Sequence, residues 1–212
     1  MRKHVRVSEI LSRLQDFTSI DAAVLEAKAE IGTNVHNAIV QDATGQFPEL
    51  NSDREAAYFE SYRIWKEKHK PCYSMMESRF NCDNLMITGQ IDALLKPESD
   101  TELPILIDYK TSAIPNVKIW TMQAHFYWYL LSENSIPAAD IMFWINLRHK
   151  KIPLIDDNGD PILDIMEKQS FTYQELPPKV VEIHYDEKVL QECIQEAIRY
   201  WEEKDNAYTL DS

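Results

Sequence analysis

The sequence predicts an α/β fold in which a central mixed β-sheet is flanked by helices and preceded by a helical N-terminal part. Apolar residues recur near helical spacing up to residue 70, three short apolar segments separated by turns follow, and a helix and a buried strand come next. The chain has 212 residues, of which 44% are hydrophobic, enough for one sizeable core. We therefore expect a single domain over residues 1–212, with the helical part at 1–71 and the sheet core with its flanking helices at 72–212.

The helical part divides into two segments. Residues 8–41 carry apolar side chains at helical spacing, and Gly32-Thr33 is expected to break this stretch in two. The loop-forming residues 45–53 end in an N-cap signal, after which a further helix is predicted to continue to about residue 70, before Pro71.

The sheet core begins with three strands, predicted at 74–80, 85–95 and 104–110, which form a β-meander. A helix over 117–133 follows, entered through Pro115-Asn116, and then a buried strand at 141–147. Residues 156–161 predict a turn and 180–185 a further strand. Asp186 is expected to cap a final amphipathic helix.

Composition excludes several classes of protein. Lys and Arg total 22 against 35 Asp and Glu, a formal charge of −13, which argues against nucleic-acid binding through bulk positive potential. The four glycines are too widely spaced for a dinucleotide-binding or P-loop motif. The three cysteines form no C-x-x-C pair and are expected to be reduced thiols. Without an export signal or a membrane-spanning segment, we expect a cytoplasmic protein with no membrane association.

Acidic residues and a lysine are concentrated on the second and third predicted strands. Asp92 ends the sequence Gly-Gln-Ile-Asp, and Asp108 and Lys110, two residues apart, share one face of their strand. If the two strands are antiparallel neighbours, Asp92 lies beside Asp108. Two carboxylates and a backbone carbonyl suit Mg²⁺ or Mn²⁺, and an adjacent ammonium stabilises developing negative charge or positions a water. Metal-assisted phosphodiester hydrolysis requires such a set.

Other polar residues accompany this set. Gln123 and Tyr127 are spaced i and i+4 and therefore share one face of an otherwise apolar helix. His36 lies one turn after Gly32, and an imidazole there suits Mn²⁺ better than Mg²⁺. Glu77 lies on the first predicted strand.

The chain resembles the PD-(D/E)XK nuclease superfamily, in its RecB-like and lambda-exonuclease-like branch, from about residue 32 to 131. The family pattern consists of G-x-x-x-H, an early-strand Glu, G-x-I-D, D/E-x-K and Q-x-x-x-Y. It is matched in order by Gly32 to His36, Glu77, Gly89 to Asp92, Asp108 to Lys110, and Gln123 to Tyr127. Ile91 replaces the proline of the family name, and Asp108 replaces the more frequent Glu.

The resemblance implies a restriction-endonuclease-like core and a role for each matched residue. Asp92, Asp108, the Tyr109 carbonyl and His36 would bind one or two Mg²⁺ or Mn²⁺ ions, and Lys110 would act on the water nucleophile or the transition-state charge. Gln123 and Tyr127 would order the site or the substrate backbone, and Glu77 would be an auxiliary acid. The four-cysteine cluster of some relatives is missing, which implies no iron–sulfur cluster.

The implied function is a metal-dependent DNA nuclease, an exonuclease of phage-type recombination or DNA repair. The alternative is a catalytically inactive member that binds DNA or a protein. Each carboxylate alone is typical of a strand edge, but Asp108 follows Ile-Leu-Ile, where an unpaired charge costs a few kcal/mol. The basic run 148–151 is typical of a solvated strand end, with phosphate contact as the alternative. DNA is the expected partner, and a recombination or replication protein and an oligomeric state remain open.

Overall fold

The computed structural model describes residues 3–97, 99 and 101–210. The elements in chain order are β1 (Val5–Arg6), α1 (Val7–Ser12), α2 (Ala22–Ala43), α3 (Asp53–His69), β2 (Tyr73–Cys82), β3 (Ile87–Leu95), β4 (Ile105–Lys110), α4 (Val117–Glu133), β5 (Ile141–Pro153), β6 (Phe171–His184) and α5 (Glu187–Leu210). The predicted mixed sheet flanked by helices is confirmed. No helix in the described ranges is both long and apolar enough to cross a bilayer.

The six strands form one sheet in the order β1-β3-β4-β5-β6, with β2 paired to β3. Strands β2, β3 and β4 form the predicted antiparallel meander. Helix α4 then crosses over to β5, which runs parallel to β4, and β6 returns antiparallel to β5. The sheet is therefore mixed, and its parallel pair lies in the centre.

The two strands on one edge of β3 leave a gap between them. Because β2 pairs along β3 from residue 87 to residue 95, β1 and β4 must share the opposite edge. There β1 pairs with Ile87 and Thr88, and β4 pairs with residues 93–95. Residues 89–92 therefore have no partner on that edge among the described strands, and the sheet forks at this point.

Helices cover both faces of the sheet. One core contains α1, α4 and α5 packed on Leu106 and Trp144, and the other contains α2 and α3 packed on Ile107 and Tyr109. Successive residues of β4 thus point to opposite faces. This alternation places Asp108 and Lys110 on the α4 face, together with Leu106.

Three details differ from the sequence prediction. Helix α2 continues through Gly32-Thr33, because one glycine in a helix costs only about 1 kcal/mol and packing of the Val35 and Ile39 side chains outweighs that cost. The chain break lies instead between α1 and α2. Strand β1, only two residues long, has no counterpart in the prediction. Strands β5 and β6 extend into a long ribbon that contains the basic run 148–151, since cross-strand pairing overrides its polar composition.

Substitution of two glycines by alanine is expected to have opposite effects on stability. A Cβ at Gly89 would lie 2.6 Å from Leu130 Cδ1 and 3.1 Å from Tyr127 Cε1, whereas a Cβ at Gly32 would make an ordinary 3.4 Å contact with Thr111 Oγ1. We expect Gly89→Ala to lower the free energy of unfolding by about 1–3 kcal/mol through overpacking. Gly32→Ala, inside a helix, should raise it by about 0.5–1 kcal/mol. Urea unfolding of both variants tests this, and a stable Gly89→Ala protein would contradict the close approach of α4.

Candidate active site

The fork on β3 is where the predicted site residues meet. Helix α2 supplies His36, β2 supplies Glu77, β3 supplies Asp92, β4 supplies Asp108, Tyr109 and Lys110, and α4 supplies Gln123 and Tyr127. These are all eight of the residues that the sequence singled out. Five separate elements contribute to the site, so it exists only in the folded chain.

Three of these side chains form a cluster that fits a cation. Nδ1 of His36 lies 3.4 Å from Asp92 Oδ1 and 3.7 Å from Glu77 Oε1. One ligand atom from each of the three residues lies within 4.8 Å of the others. Glu77, expected only as an auxiliary acid, is therefore as well placed as Asp92 to bind a metal ion.

Backbone distortion brings Glu77 into this cluster. The pairs Met76–Ala93 and Ser78–Ile91 put Glu77 opposite Asp92, and Glu77 has a φ of 44°. Ile91 and Ala93 pack in opposite cores, although residues two apart on a regular strand share a face. A left-handed conformation is costly for a residue other than glycine and is often found at functional sites. The sequence contains no signal for it.

The His36 ring is fixed by the backbone of β4. Its Nε2 lies 2.9 Å from the carbonyl oxygen of Tyr109, to which the protonated nitrogen donates. Nδ1 is then directed at the two carboxylates. Burial alone would lower the pKa of His36, but the charge of Asp92 and hydrogen bonds to Asp92 and Glu77 raise the pKa well above its ordinary value. The Tyr109 carbonyl, expected as a metal ligand, here accepts the hydrogen bond from His36.

Asp108 is the most deeply buried carboxylate of the site, at 1% exposure. Nζ of Lys110 lies 2.6 Å from its Oδ2 and 4.4 Å from the centre of the Trp144 ring. Within the described ranges, Oδ1 of Asp108 has no hydrogen-bond partner. Burial, and then the charge of Asp92, raise the pKa of Asp108 to about 7 in spite of Lys110. A buried carboxylate oxygen without a partner is a position that a cation would satisfy.

Asp92 has the opposite electrostatic character. Burial would raise its pKa, but His36, Lys110 and the Tyr109 N–H together lower the pKa below its ordinary value. The Tyr109 N–H donates to Asp92 Oδ2 at 2.7 Å. Asp92 is therefore held ionised, whereas Asp108 is partly protonated near neutral pH in spite of Lys110.

Gln123 and Tyr127 make the contact that their spacing predicts. Nε2 of Gln123 donates to the Tyr127 hydroxyl at 2.5 Å. Burial, and then the charges of Asp108 and Asp92, raise the pKa of Tyr127 well above its ordinary value, so the hydroxyl keeps its proton. The absence of a side chain at Gly89 lets this ring pack directly on β3.

Sequence reasoning missed two residues that support the site. Gln90 donates to Glu77 and accepts from Arg79 Nη2 at 2.6 Å. Asn146 on β5 donates to the carbonyls of Ser112 at 3.0 Å and Lys110 at 3.2 Å. Gln90 lies inside the Gly-Gln-Ile-Asp motif, and Asn146 is the one polar residue of an otherwise apolar strand segment at 141–147. Both signals were present in the sequence.

The basic run 148–151 follows β5 away from the site. The Arg148 N–H donates to Ser61 Oγ at 3.0 Å, and Arg54 Nε donates to His149 Nε2 at 3.2 Å. No contact joins this run to the His36, Glu77 and Asp92 cluster in the part of the chain that the structure describes. Phosphate contact by this run stays a prediction.

The fold is that of a nuclease superfamily. The model of the PD-(D/E)XK nuclease superfamily matches residues 4–208, so the chain belongs to that superfamily, and the resemblance in the sequence is confirmed. No curated protein matches the chain.

Solved structures of two exonucleases are similar to the chain at low sequence identity. The phage-related exonuclease from Haemophilus somnus 129PT is 14% identical, with a TM-score of 0.45, over 98% of this chain and 97% of that one. The alkaline exonuclease LHK-Exo from Laribacter hongkongensis is 15% identical, with a TM-score of 0.39, over 98% of this chain and 94% of that one.

Substitution of Asp108 by asparagine is expected to stabilise the protein in chelator, and more so at high pH. Asp108 titrates near pH 7 when folded and near pH 4 when unfolded, so the unfolded chain binds fewer protons between these values. Its contribution to stability therefore becomes less favourable as the pH rises from 4 to 7. The asparagine side chain does not titrate, so the variant lacks this pH dependence.

Urea unfolding in EDTA at pH 5 and pH 8 measures this effect. We expect the stability gain of Asp108→Asn over the wild type to be larger at pH 8. The matched control is Asp157→Asn, at an exposed turn position. An equal gain at both pH values would show that the Asp108 carboxyl is not strained by burial.

Proposed function

We propose that the protein is a metal-dependent DNA nuclease that hydrolyses phosphodiester bonds as an exonuclease in phage-type recombination or DNA repair. Membership of the nuclease superfamily supports the reaction class. The observation that carries the proposal is the buried Asp108 carboxylate, with an unpartnered oxygen among the described residues and Lys110 beside it, next to the three-residue cluster of His36, Glu77 and Asp92.

The residues at the fork fit a divalent cation of the Mg²⁺ and Mn²⁺ type. Carboxylate oxygens of Glu77, Asp92 and Asp108 are the ligands that hard cations prefer, and the imidazole of His36 extends the set towards Mn²⁺. When bound, the ion would lower the pKa of a water molecule and stabilise charge on the phosphate. Because the pKa values of His36 and Asp108 are raised, each would have to give up a proton when its lone pair bound the ion.

The protein's own side chains supply the remaining functions. Lys110 is held between Asp108 and the Trp144 ring, so its ammonium group is available to orient the attacking water or to stabilise charge on the phosphate. The Tyr127 hydroxyl keeps its proton and is fixed by Gln123, which suits a hydrogen-bond donor to a substrate oxygen. Asp92 and His36 are positioned by the two backbone groups of Tyr109.

We expect Asp92→Asn, Asp108→Asn and Lys110→Ala each to lower the rate of DNA hydrolysis by about 10²-fold or more, since each removes a group that acts on the reacting charges. The assay is release of nucleotides from end-labelled DNA with Mg²⁺ or Mn²⁺, and EDTA should abolish it. The control variant is Asp157→Asn. If Lys110→Ala cleaved at the wild-type rate, this site would not be the catalytic one. If the wild type released nothing with either metal, the protein would be an inactive binding module.

Cleavage is expected to require a free DNA end. A chain of net charge −13 attracts duplex interiors weakly, and a DNA end can enter a local site without a long basic surface. The test is to incubate linear and covalently closed circular DNA of one sequence with the protein and Mg²⁺. Only the linear form should be degraded. Comparable loss of the closed circle would leave the nuclease proposal intact and exclude the exonuclease.

A further inference from the structure

A cavity lies between α4, the loop that precedes β5, and the junction of β6 and α5. It has a volume of about 410 Å³, which is within the range of ligand-binding cavities. The residues that determine its chemistry are Trp128, Leu131, Ile136, Asp140 and Tyr185. None of the eight candidate site residues lines it, so a ligand in this cavity leaves the active site open to DNA.

Two aromatic rings of this cavity are held in fixed positions. Trp128 and Tyr185 pack edge to face, with ring centres 5.6 Å apart. The Trp128 indole N–H donates to the Ala139 carbonyl at 2.9 Å, and the Tyr185 hydroxyl donates to Glu187 Oε2 at 2.6 Å. The two rings form an aromatic wall that is already ordered, so little side-chain entropy is lost when a ligand binds against it.

The one charged residue that lines this cavity, among those that the structure describes, is Asp140, which is exposed. No lysine or arginine in the described ranges lines the cavity or lies within ion-pair distance of Asp140. The sequence has the same bias, since neither Lys nor Arg occurs between Lys118 and Arg148, a stretch that includes most of the lining residues. The Asp140 carboxylate is therefore available to an external cation.

The histidine behind the aromatic wall does not supply this cation. His125 stacks on Tyr185 with ring centres 5.7 Å apart. Its Nδ1 donates to the Thr121 carbonyl at 2.7 Å, and its Nε2 accepts from the Asp186 N–H at 2.8 Å, so the imidazole is neutral. Burial also lowers the pKa of His125 below its ordinary value. No lysine or arginine of the described residues lies over the Trp128 or Tyr185 ring.

A positive charge on an apolar stem fits this combination of groups. The faces of tryptophan and tyrosine rings attract ammonium and guanidinium groups, most strongly where water is displaced. Asp140 supplies a carboxylate for the same group, and Leu131 and Ile136 supply apolar contacts for its methylene stem. A phosphate is disfavoured beside the carboxylates of Asp140 and Glu187, so DNA is not the expected occupant.

We propose that this cavity binds an arginine or lysine side chain, flanked by apolar residues, from a peptide segment of another protein. Arginine is the better fit, because a planar guanidinium group stacks on an aromatic ring and pairs with a carboxylate at the same time. A partner bound in this way would be joined to the protein without covering the active site. The inference goes beyond the proposed function, since it holds whether or not the chain cleaves DNA.

The first experiment uses a random dodecapeptide library displayed on phage as the probe. The library is selected on the immobilised full-length protein. We expect the enriched peptides to share an arginine or lysine flanked by apolar residues. Enrichment of acidic or uncharged peptides, or no enrichment, would overturn the proposal.

The second experiment locates an enriched peptide by fluorescence anisotropy. We expect Asp140→Asn to weaken its binding by about tenfold, as for loss of one charged hydrogen bond, and exchange of the peptide's basic residue for glutamine to have a similar effect. The two losses should not add, because they remove the same contact. Tyr185→Leu, which removes the ring but keeps an apolar side chain, should weaken binding by about threefold to tenfold.

The matched control is Asp157→Asn, which changes the net charge equally at an exposed turn position. It should bind the peptide with wild-type affinity. Thermal melts followed by circular dichroism establish that the variants are folded. Wild-type affinity in folded Asp140→Asn, or an equal loss in Asp157→Asn, would place the peptide elsewhere and overturn the proposal.

Two further measurements distinguish other occupants of the cavity. Light scattering should give the same molar mass for the wild type and Asp140→Asn, whereas an oligomer that Asp140→Asn dissociates would show that a second copy fills the cavity and would overturn the proposal. Saturating peptide should leave the rate of DNA hydrolysis unchanged, and competitive inhibition would place the peptide in the active site instead. If the protein hydrolysed no DNA, the proposed function would fail, and the anisotropy measurements would still decide this inference.

Discussion

The backbone of Tyr109 is the constraint on which the site depends. Its N–H donates to Asp92 Oδ2, and its carbonyl accepts from His36 Nε2. The Asp92 side chain thus supplies an acceptor at the point where β3 and β4 stop pairing. One residue of β4 orients a carboxylate from β3 and an imidazole from α2. The Tyr109 ring is fixed in turn, because its hydroxyl hydrogen-bonds to that of Tyr73 at 2.8 Å inside the core formed by α2 and α3.

The electrostatics of the site are unbalanced in the protein alone. Three carboxylates, Glu77, Asp92 and Asp108, face one imidazole and one ammonium group, and two of the five groups have pKa values displaced in the direction that reduces net negative charge. The fold therefore loses stability by holding ionisable groups close together. A divalent cation would supply the missing positive charge, so the same concentration of negative charge that destabilises the free protein favours binding of the ion.

Local periodicity was sufficient to predict the side chains that lie on regular elements. Asp108 and Lys110 share a face because they are two apart on a strand, and Gln123 contacts Tyr127 because they are four apart on a helix. Glu77 could not be placed in this way, since its position depends on a positive φ. Strand β1 was missed for another reason: it is only two residues long and is a strand only because β3 provides a partner for it. The ribbon of β5 and β6 likewise depends on pairing between distant segments.

Net charge and local charge act on different steps of the proposed reaction. With a formal charge of −13, the molecule as a whole repels DNA at long range, which lowers the association rate and does not set the contacts within the bound complex. Those contacts depend on basic groups that no carboxylate of the protein neutralises. Among the described residues, Arg6, Arg54, Arg79 and Arg148 have no carboxylate within ion-pair distance, whereas Arg63 lies between Glu60 and Glu67 on one helix. The two glutamates neutralise Arg63, whereas arginines without an acidic partner are available to a ligand. The positions of these unpaired arginines are therefore more informative about the substrate path than the total charge of the protein.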